Sequence, residues 1–157
     1  MDLSGQIRTT CPPDLLVRII RDPDALAQLL PAGSKMDLNP DGTYAFSVTK
    51  SVGPIKLTLP GTLQLTPGAR GHDQILTARA AHLIGGKVDL ALNIQITAEA
   101  RITHMTYTGD LTATGLAGRI LQEHRARANS SLKAALTRLK LYAEAQANKH
   151  PNRSAHV

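Results

Sequence analysis

The chain has 157 residues, 42% of them hydrophobic and 19% charged, a balance that suits one globular domain with a sizeable core and excludes a disordered tail. Its formal net charge is +6, yet residues 1–118 hold ten Lys/Arg against ten Asp/Glu, while residues 119–157 hold eight basic residues against Glu123 and Glu144. The excess sits in the last quarter, where it favours an acidic partner, and no apolar run approaches the roughly 18 residues of a membrane-spanning helix.

Residues 2–10 read as a strand with Leu3, Gly5 and Ile7 on one face. Cys11-Pro12-Pro13-Asp14 then opens a short helical region over residues 15–30, punctuated by Pro23 and Pro31. Asp22 precedes Pro23, so its carboxylate can cap a second short helix whose first position tolerates proline. Cys11 is the single cysteine; with no second thiol for a disulfide or a zinc site, and no signal-peptide pattern at the start, the expected compartment is the reducing cytoplasm.

From Gly33 to Thr114 the hydrophobic period is two. Pro40-Asp41-Gly42, Gly53-Pro54, Pro67-Gly68, Gly85-Gly86 and Glu99-Ala100-Arg101 break it, and these are turns between antiparallel strands. Ile55, Leu57, Leu59, Leu63 and Leu65 fall on one face, with Lys56, Thr58, Thr62 and Gln64 on the other. Val88, Leu90, Leu92, Ile94 and Ile96 alternate in the same way against Lys87, Asp89, Asn93 and Gln95. Each strand covers something on one side and meets water on the other.

After Gly115 the period becomes helical. Ala117, Ile120, Leu121, His124, Ala128, Ser131, Leu132, Ala135, Leu139 and Tyr142 share a side, and Asn129, Lys133, Thr137 and Lys140 lie opposite. One helix over residues 116–146 would run about 45 Å, close to the roughly 40 Å of twelve-residue strands. The expected fold is α+β: a curved antiparallel sheet wrapped around one long C-terminal helix, with two short helices near the N-terminus. Residues 1–146 form the expected single domain, and 147–157 a polar, frayed tail.

Motifs for catalysis are missing: there is no phosphate-binding glycine loop, no nucleophile elbow, and no cysteine pair or histidine pair at metal spacing. Their absence weakens the enzyme class without excluding it, and no cofactor or metal is expected. The inward faces mix aliphatic residues with Gly61, Gly109, Ala78, Ala80, Ala113, Ala117, Ala128 and Ala135, and the chain has one Phe, three Tyr and no Trp. Small side chains fill the space between sheet and helix poorly, so either the sheet closes tightly or an apolar ligand completes the core.

Candidate ligand-facing positions are Phe46 and Val48, then Leu57, Leu59 and Leu63, then Leu90, Leu92 and Ile94. Met105, Tyr107 and Leu111 follow on the next strand, with Ile120, Leu121, His124 and Ala128 on the helix. Lone histidines and buried tyrosines more often belong to a packed core. In a cavity, His124 and Tyr107 would offer hydrogen bonds to an otherwise apolar ligand, or act as acid and base in an enzyme of the same fold. Arg125, Lys133 and Lys140 are candidates for a surface that meets an anionic membrane or a partner protein, and such a surface could serve a ligand-free assembly factor equally well. Nucleic acid is disfavoured, because stacking platforms need exposed aromatics.

Several landmarks resemble one family. Leu3-Ser4-Gly5, Asp22-Pro23, Leu30-Pro31, the run Val52-Gly53-Pro54-Ile55-Lys56 with Gly61 and Leu63/Leu65 after it, Met105-Thr106-Tyr107 and Gly115-Leu116-Ala117 occur in the order found in the carbon monoxide dehydrogenase G-subunit family. That family belongs to the START and Bet v 1-like superfamily of polyketide cyclases and lipid-transport proteins. The resemblance implies a helix-grip fold with a hydrophobic tunnel for a quinone- or lipid-like molecule. It also implies an accessory role beside a molybdenum-containing carbon monoxide dehydrogenase and its membrane. The chain has Thr108 where familiar members carry an acidic residue, and its polar tail in place of an apolar anchor makes any membrane contact peripheral and salt-sensitive.

Overall fold

The computed structural model describes residues 1–149 apart from 32, 33, 53 and 83–85, and the side chains of 50–52, 55, 57 and 82 also lie outside the description. Alternation of wet and dry positions produces seven described strands: β1 (Asp2–Thr9), β2 (Lys35–Leu38), β3 (Tyr44–Val52), β4 (Ile55–Pro67), β5 (Gln74–His82), β6 (Gly86–Glu99) and β7 (Ile102–Thr114). They form one antiparallel sheet in the order β1-β7-β6-β5-β4-β3-β2. The first strand thus pairs with the last, from Asp2 opposite Asp110 to Thr9 opposite Thr103.

Four α-helices accompany the sheet among the described residues: α1 (Pro13–Ile20), α2 (Pro23–Leu26), α3 (Gly115–Glu123) and α4 (Arg125–Lys149). Asp22 caps α2, its carboxylate accepting the Asp24 N–H at 3.0 Å, and Pro23 occupies the first turn. A 3-10 turn, Ala27–Leu29, follows. Gly42 takes φ +88° in the turn before β3, where Asp41 accepts both the N–H and the hydroxyl of Thr43. Those two bonds hold the Asp41 carboxyl below its ordinary pKa.

The core lies between the inner sheet face and α4. Leu63, Leu65, Leu76, Leu92, Ile94, Ile96, Met105 and Tyr107 are buried from the sheet side, and Leu136, Leu139 and Ala143 from α4. Two glycines make room for the large rings. A Cβ at Gly61 would lie 2.3 Å from the Phe46 ring, and one at Gly5 would lie 2.2 Å from the Tyr107 hydroxyl, so each aromatic lies over the glycine of its neighbouring strand. This is the helix-grip arrangement expected from the sequence.

The expected single helix over 116–146 is corrected: it is two helices that break at His124. That residue leaves the helical region (φ −112°, ψ 21°), and its carbonyl accepts the Arg127 N–H at 2.9 Å in a tight turn. The cause is tertiary. α3 packs on β6 and β7, whereas α4 packs on β1, α1 and the 3-10 turn, and one straight rod cannot follow both surfaces. Helix α4 also runs to Lys149, three residues past the expected end, and residues 150–157 of the expected tail lie outside the described part.

The stripe along α4 differs from the expected one in consequence. Asn129, expected to face water, is exposed and also accepts the Ser4 N–H at 3.3 Å. Leu136, absent from the expected stripe, is fully buried. Lys140, expected on an open surface, is only partly exposed and stands 3.9 Å from Glu144.

Candidate functional site

The sheet, α3 and the start of α4 enclose a groove of about 470 Å³. Its floor is Leu59 of β4, Val88 of β6, and Leu111 and Ala113 of β7. Ala117, Ile120 and Leu121 of α3 form one wall, and His124, Arg127, Ala128 and Ser131 close the other. The space exists because alanines stand on all three elements around it: Ala113 of β7, Ala117 of α3 and Ala128 of α4 cannot span the gap that Leu92, Met105 and Tyr107 fill in the core. Its volume lies within the range of about 300–1,000 Å³ typical of small-molecule sites, and an apolar wall with a few polar groups at one end is their usual chemistry.

The fifteen expected ligand positions divide by depth. Leu59, Leu111, Ile120, Leu121, His124 and Ala128 line the groove. Leu63, Leu92, Ile94, Met105 and Tyr107 lie instead in the packed core, where each is at most 4% exposed, and they are corrected from lining to support. Phe46 and Leu90 pack against that core without lining the groove, Val48 is half-buried outside it, and the Leu57 side chain is outside the description. The expected ligand positions omitted Val88, Ala113, Ala117, Arg127 and Ser131, which also line the groove. Val88, Ala113, Ala117 and Ser131 already fall on inward faces by their spacing, whereas Arg127 carries no such signal.

His124 is not the core-facing imidazole its stripe suggested. It sits on the exposed turn between α3 and α4, at the rim of the groove. Tyr107 is 1% exposed and its hydroxyl, over Gly5, has no hydrogen-bond partner among the described residues. Burial raises its pKa. The two side chains do not share a cavity, so the geometry that an acid and base pair made from them requires is not met.

The remaining polar clusters bind the fold together. His72 pairs with Asp14 across the β4–β5 turn and α1. His104 approaches Gln6 at 3.3 Å and Glu99 at 3.7 Å. Thr9 donates its hydroxyl to Glu144 at 2.8 Å and accepts the Cys11 N–H at 3.1 Å. Cys11 is buried, and desolvation with help from the Glu144 carboxylate pushes its thiol up to about 11. Among the described residues no group of three His, Cys, Asp or Glu side chains could hold a metal ion. No described helix is long and apolar enough to cross a membrane.

A larger trough, about 510 Å³, lies on the opposite face of the sheet. Threonines, Gln64 and the Arg79–Asp89 ion pair (2.7 Å) line it. It lies on the wet side of the sheet, and most of its lining side chains are polar.

Solved structures share this architecture at low sequence identity. A conserved protein of Geobacillus kaustophilus aligns with a TM-score of 0.72 and 16% identity, covering 94% of this chain and 97% of that one. A protein of Thermus thermophilus aligns at 0.65 and 10%, covering 94% and 99%. The Zhui aromatase/cyclase of a Streptomyces species aligns at 0.60 and 16%, covering 92% and 93%. These likenesses establish the Bet v 1-like fold and nothing finer. No curated protein matches the chain by sequence. The pattern that defines the G subunit of carbon monoxide dehydrogenase (CoxG), however, matches residues 5–141, a span that includes every described strand except the first residues of β1 and also the whole groove. The chain belongs to the carbon monoxide dehydrogenase G-subunit (CoxG) family.

Proposed function

We propose that this chain is a non-catalytic binding protein that holds a lipophilic small molecule, quinone- or lipid-like, in the groove between the sheet and α3. In this reading it serves a carbon monoxide dehydrogenase-type molybdenum oxidoreductase and that enzyme's engagement with the membrane. The observation that carries the reading is the aliphatic groove of about 470 Å³ in a member of this family. Burial there stabilises a bound chain by about 25 cal/mol per Å² of apolar area. Arg119, Arg125, Arg127 and Lys133, all exposed on α3 and α4, support peripheral contact with an anionic membrane from the cytoplasmic side. Each cation near such a surface adds about 1 kcal/mol.

Native mass spectrometry of protein purified without detergent from a quinone-producing host tests this. The expected result is a stoichiometric lipophilic adduct that is absent from Ala128→Trp, whose indole would occupy the groove, while the unfolding temperature of the variant is unchanged. A clean apo mass that stays clean after incubation with a short-chain ubiquinone and with dodecanoate overturns the reading. Leu92→Trp is not a substitute test, because Leu92 is buried in the core and the larger ring would overpack it.

A further inference from the structure

Helix α3 separates two cavities. One is the aliphatic groove. The other, about 490 Å³, lies on the side nearer Met1, and Leu111, Ala113 and Leu121 line both. The two spaces are therefore adjacent across a partition of three aliphatic side chains. Gly118 seats α3 on the end of β7, where a Cβ would stand 2.9 Å from the Ala113 carbonyl oxygen.

Their chemistry differs. The second cavity is lined by Arg119 of α3 and Arg125 of α4, together with Gln122, Thr112 and Thr114. Among the described residues no acidic side chain lines it. The third cation at its edge, the Met1 amino group, is neutralised by Asp110 at 3.0 Å. Neither Arg119 nor Arg125 has an ion pair or hydrogen bond among the described residues. Glu123, one turn beyond Arg119, forms no ion pair with it and does not line the cavity. Two exposed arginines without a partner among the described residues thus line a space that abuts an apolar groove.

We infer that this second cavity is the head-group site of an anionic amphiphile: a carboxylate or phosphate monoester binds Arg119 and Arg125, and its hydrocarbon chain passes beneath Leu121 into the groove. The inference rests on the groove being a ligand site and specifies the class of ligand. Guanidinium groups suit planar, bidentate recognition of either anion. The charge-assisted bonds are stronger beside an apolar wall than in open water.

Displacement of the neutral fluorophore N-phenyl-1-naphthylamine compares dodecanoate, dodecyl phosphate and 1-dodecanol, which share one chain. Both anions are expected to displace it from the wild type at concentrations at least about tenfold below that of the alcohol. In Arg119→Gln/Arg125→Gln that gap is expected to close while displacement by 1-dodecanol is unchanged. An equal response to all three in the wild type, or a preference that survives the double substitution, overturns the head-group assignment and leaves the groove intact as a ligand site. Inorganic phosphate distinguishes a free anion from a lipid head group. If phosphate alone abolishes the advantage of dodecyl phosphate at equal concentration, the cavity takes the free ion and the amphiphile is overturned. Failure of the fluorophore and all three chain compounds to bind, with Ala128→Trp indistinguishable from wild type, refutes the groove reading itself and the head-group site with it.

Discussion

Tyr107→Phe is expected to make the protein more stable, against the usual cost of deleting a hydroxyl from a core. The side chain is 1% exposed, its hydroxyl has no partner among the described residues, and the ring fits only because Gly5 lacks a Cβ. A buried polar group left unsatisfied carries a desolvation cost of about 1–3 kcal/mol. Removing one oxygen forfeits only a few dispersion contacts, each worth about 0.1–0.2 kcal/mol. The net gain should be about 1 kcal/mol, which for a chain of this size raises the midpoint of thermal unfolding by about 2–4 °C. The alkaline limb gives an independent check. Because burial raises the Tyr107 phenol, the unfolded state releases its proton first, so the native state loses stability as pH rises above about 10. The Phe variant should lose less stability there than the wild type, although Tyr44 and Tyr142, also raised by burial, keep part of the dependence. Urea titrations at pH 7 and at pH 10.5 measure both effects. A variant destabilised by about 1 kcal/mol or more, with an unchanged alkaline limb, would show that the hydroxyl has a hydrogen bond and would refute the reasoning.

Three other perturbations follow from the packing. Leu136→Ala, at a fully buried position of α4, should cost about 2–5 kcal/mol, read by chemical denaturation. Glu144→Ala removes the acceptor of the Thr9 hydroxyl and the Thr10 N–H. It should cost about 1.5–3 kcal/mol and lower the Cys11 pKa, because the carboxylate is one of the two causes that raise it. Cys11, 1% exposed with a thiol near 11, should resist an aromatic disulfide reagent at pH 8 and react fully in denaturant; fast labelling of the native protein would contradict its placement. The same shift means that Cys11 contributes to a loss of stability as pH rises from about 9 to about 11.

The sheet was legible because its strands are wet on one face. Lys87, Asp89, Asn93 and Gln95 mark the outer side of β6 as clearly as Leu92, Ile94 and Ile96 mark the inner. Alternation gives the face but not the depth. Leu111 and Tyr107 stand on the same side of β7 two alternations apart, yet one lines the groove and the other is sealed in the core. What divides them is whether α4 covers that level of the sheet, and spacing within one strand contains no record of a helix thirty residues later. The break at His124 was illegible for a related reason. Glu123-His124-Arg125 has no glycine or proline, so nothing local opposes a continuous helix; the two surfaces that α3 and α4 must cover impose the bend. Asn129 read as a solvent-facing residue, and it is exposed, but it also serves the backbone of Ser4, a use that polar composition disguises.

That last contact bears on how the protein behaves in a crowded cell. β1 ends the sheet, and an end strand with free N–H groups is a template on which another chain can add a strand. Here α4 lies along β1 and supplies side-chain oxygens to it, Asn129 to the Ser4 N–H at one end and Glu144 to the Thr10 N–H just past the other. The opposite margin, β2, is only four residues long, too short to seed much pairing. The helix that closes the ligand groove thus also insulates the sheet from self-association. Lesions that loosen α4 should therefore be recognised first by turbidity and insoluble expression, before any loss of binding is measured.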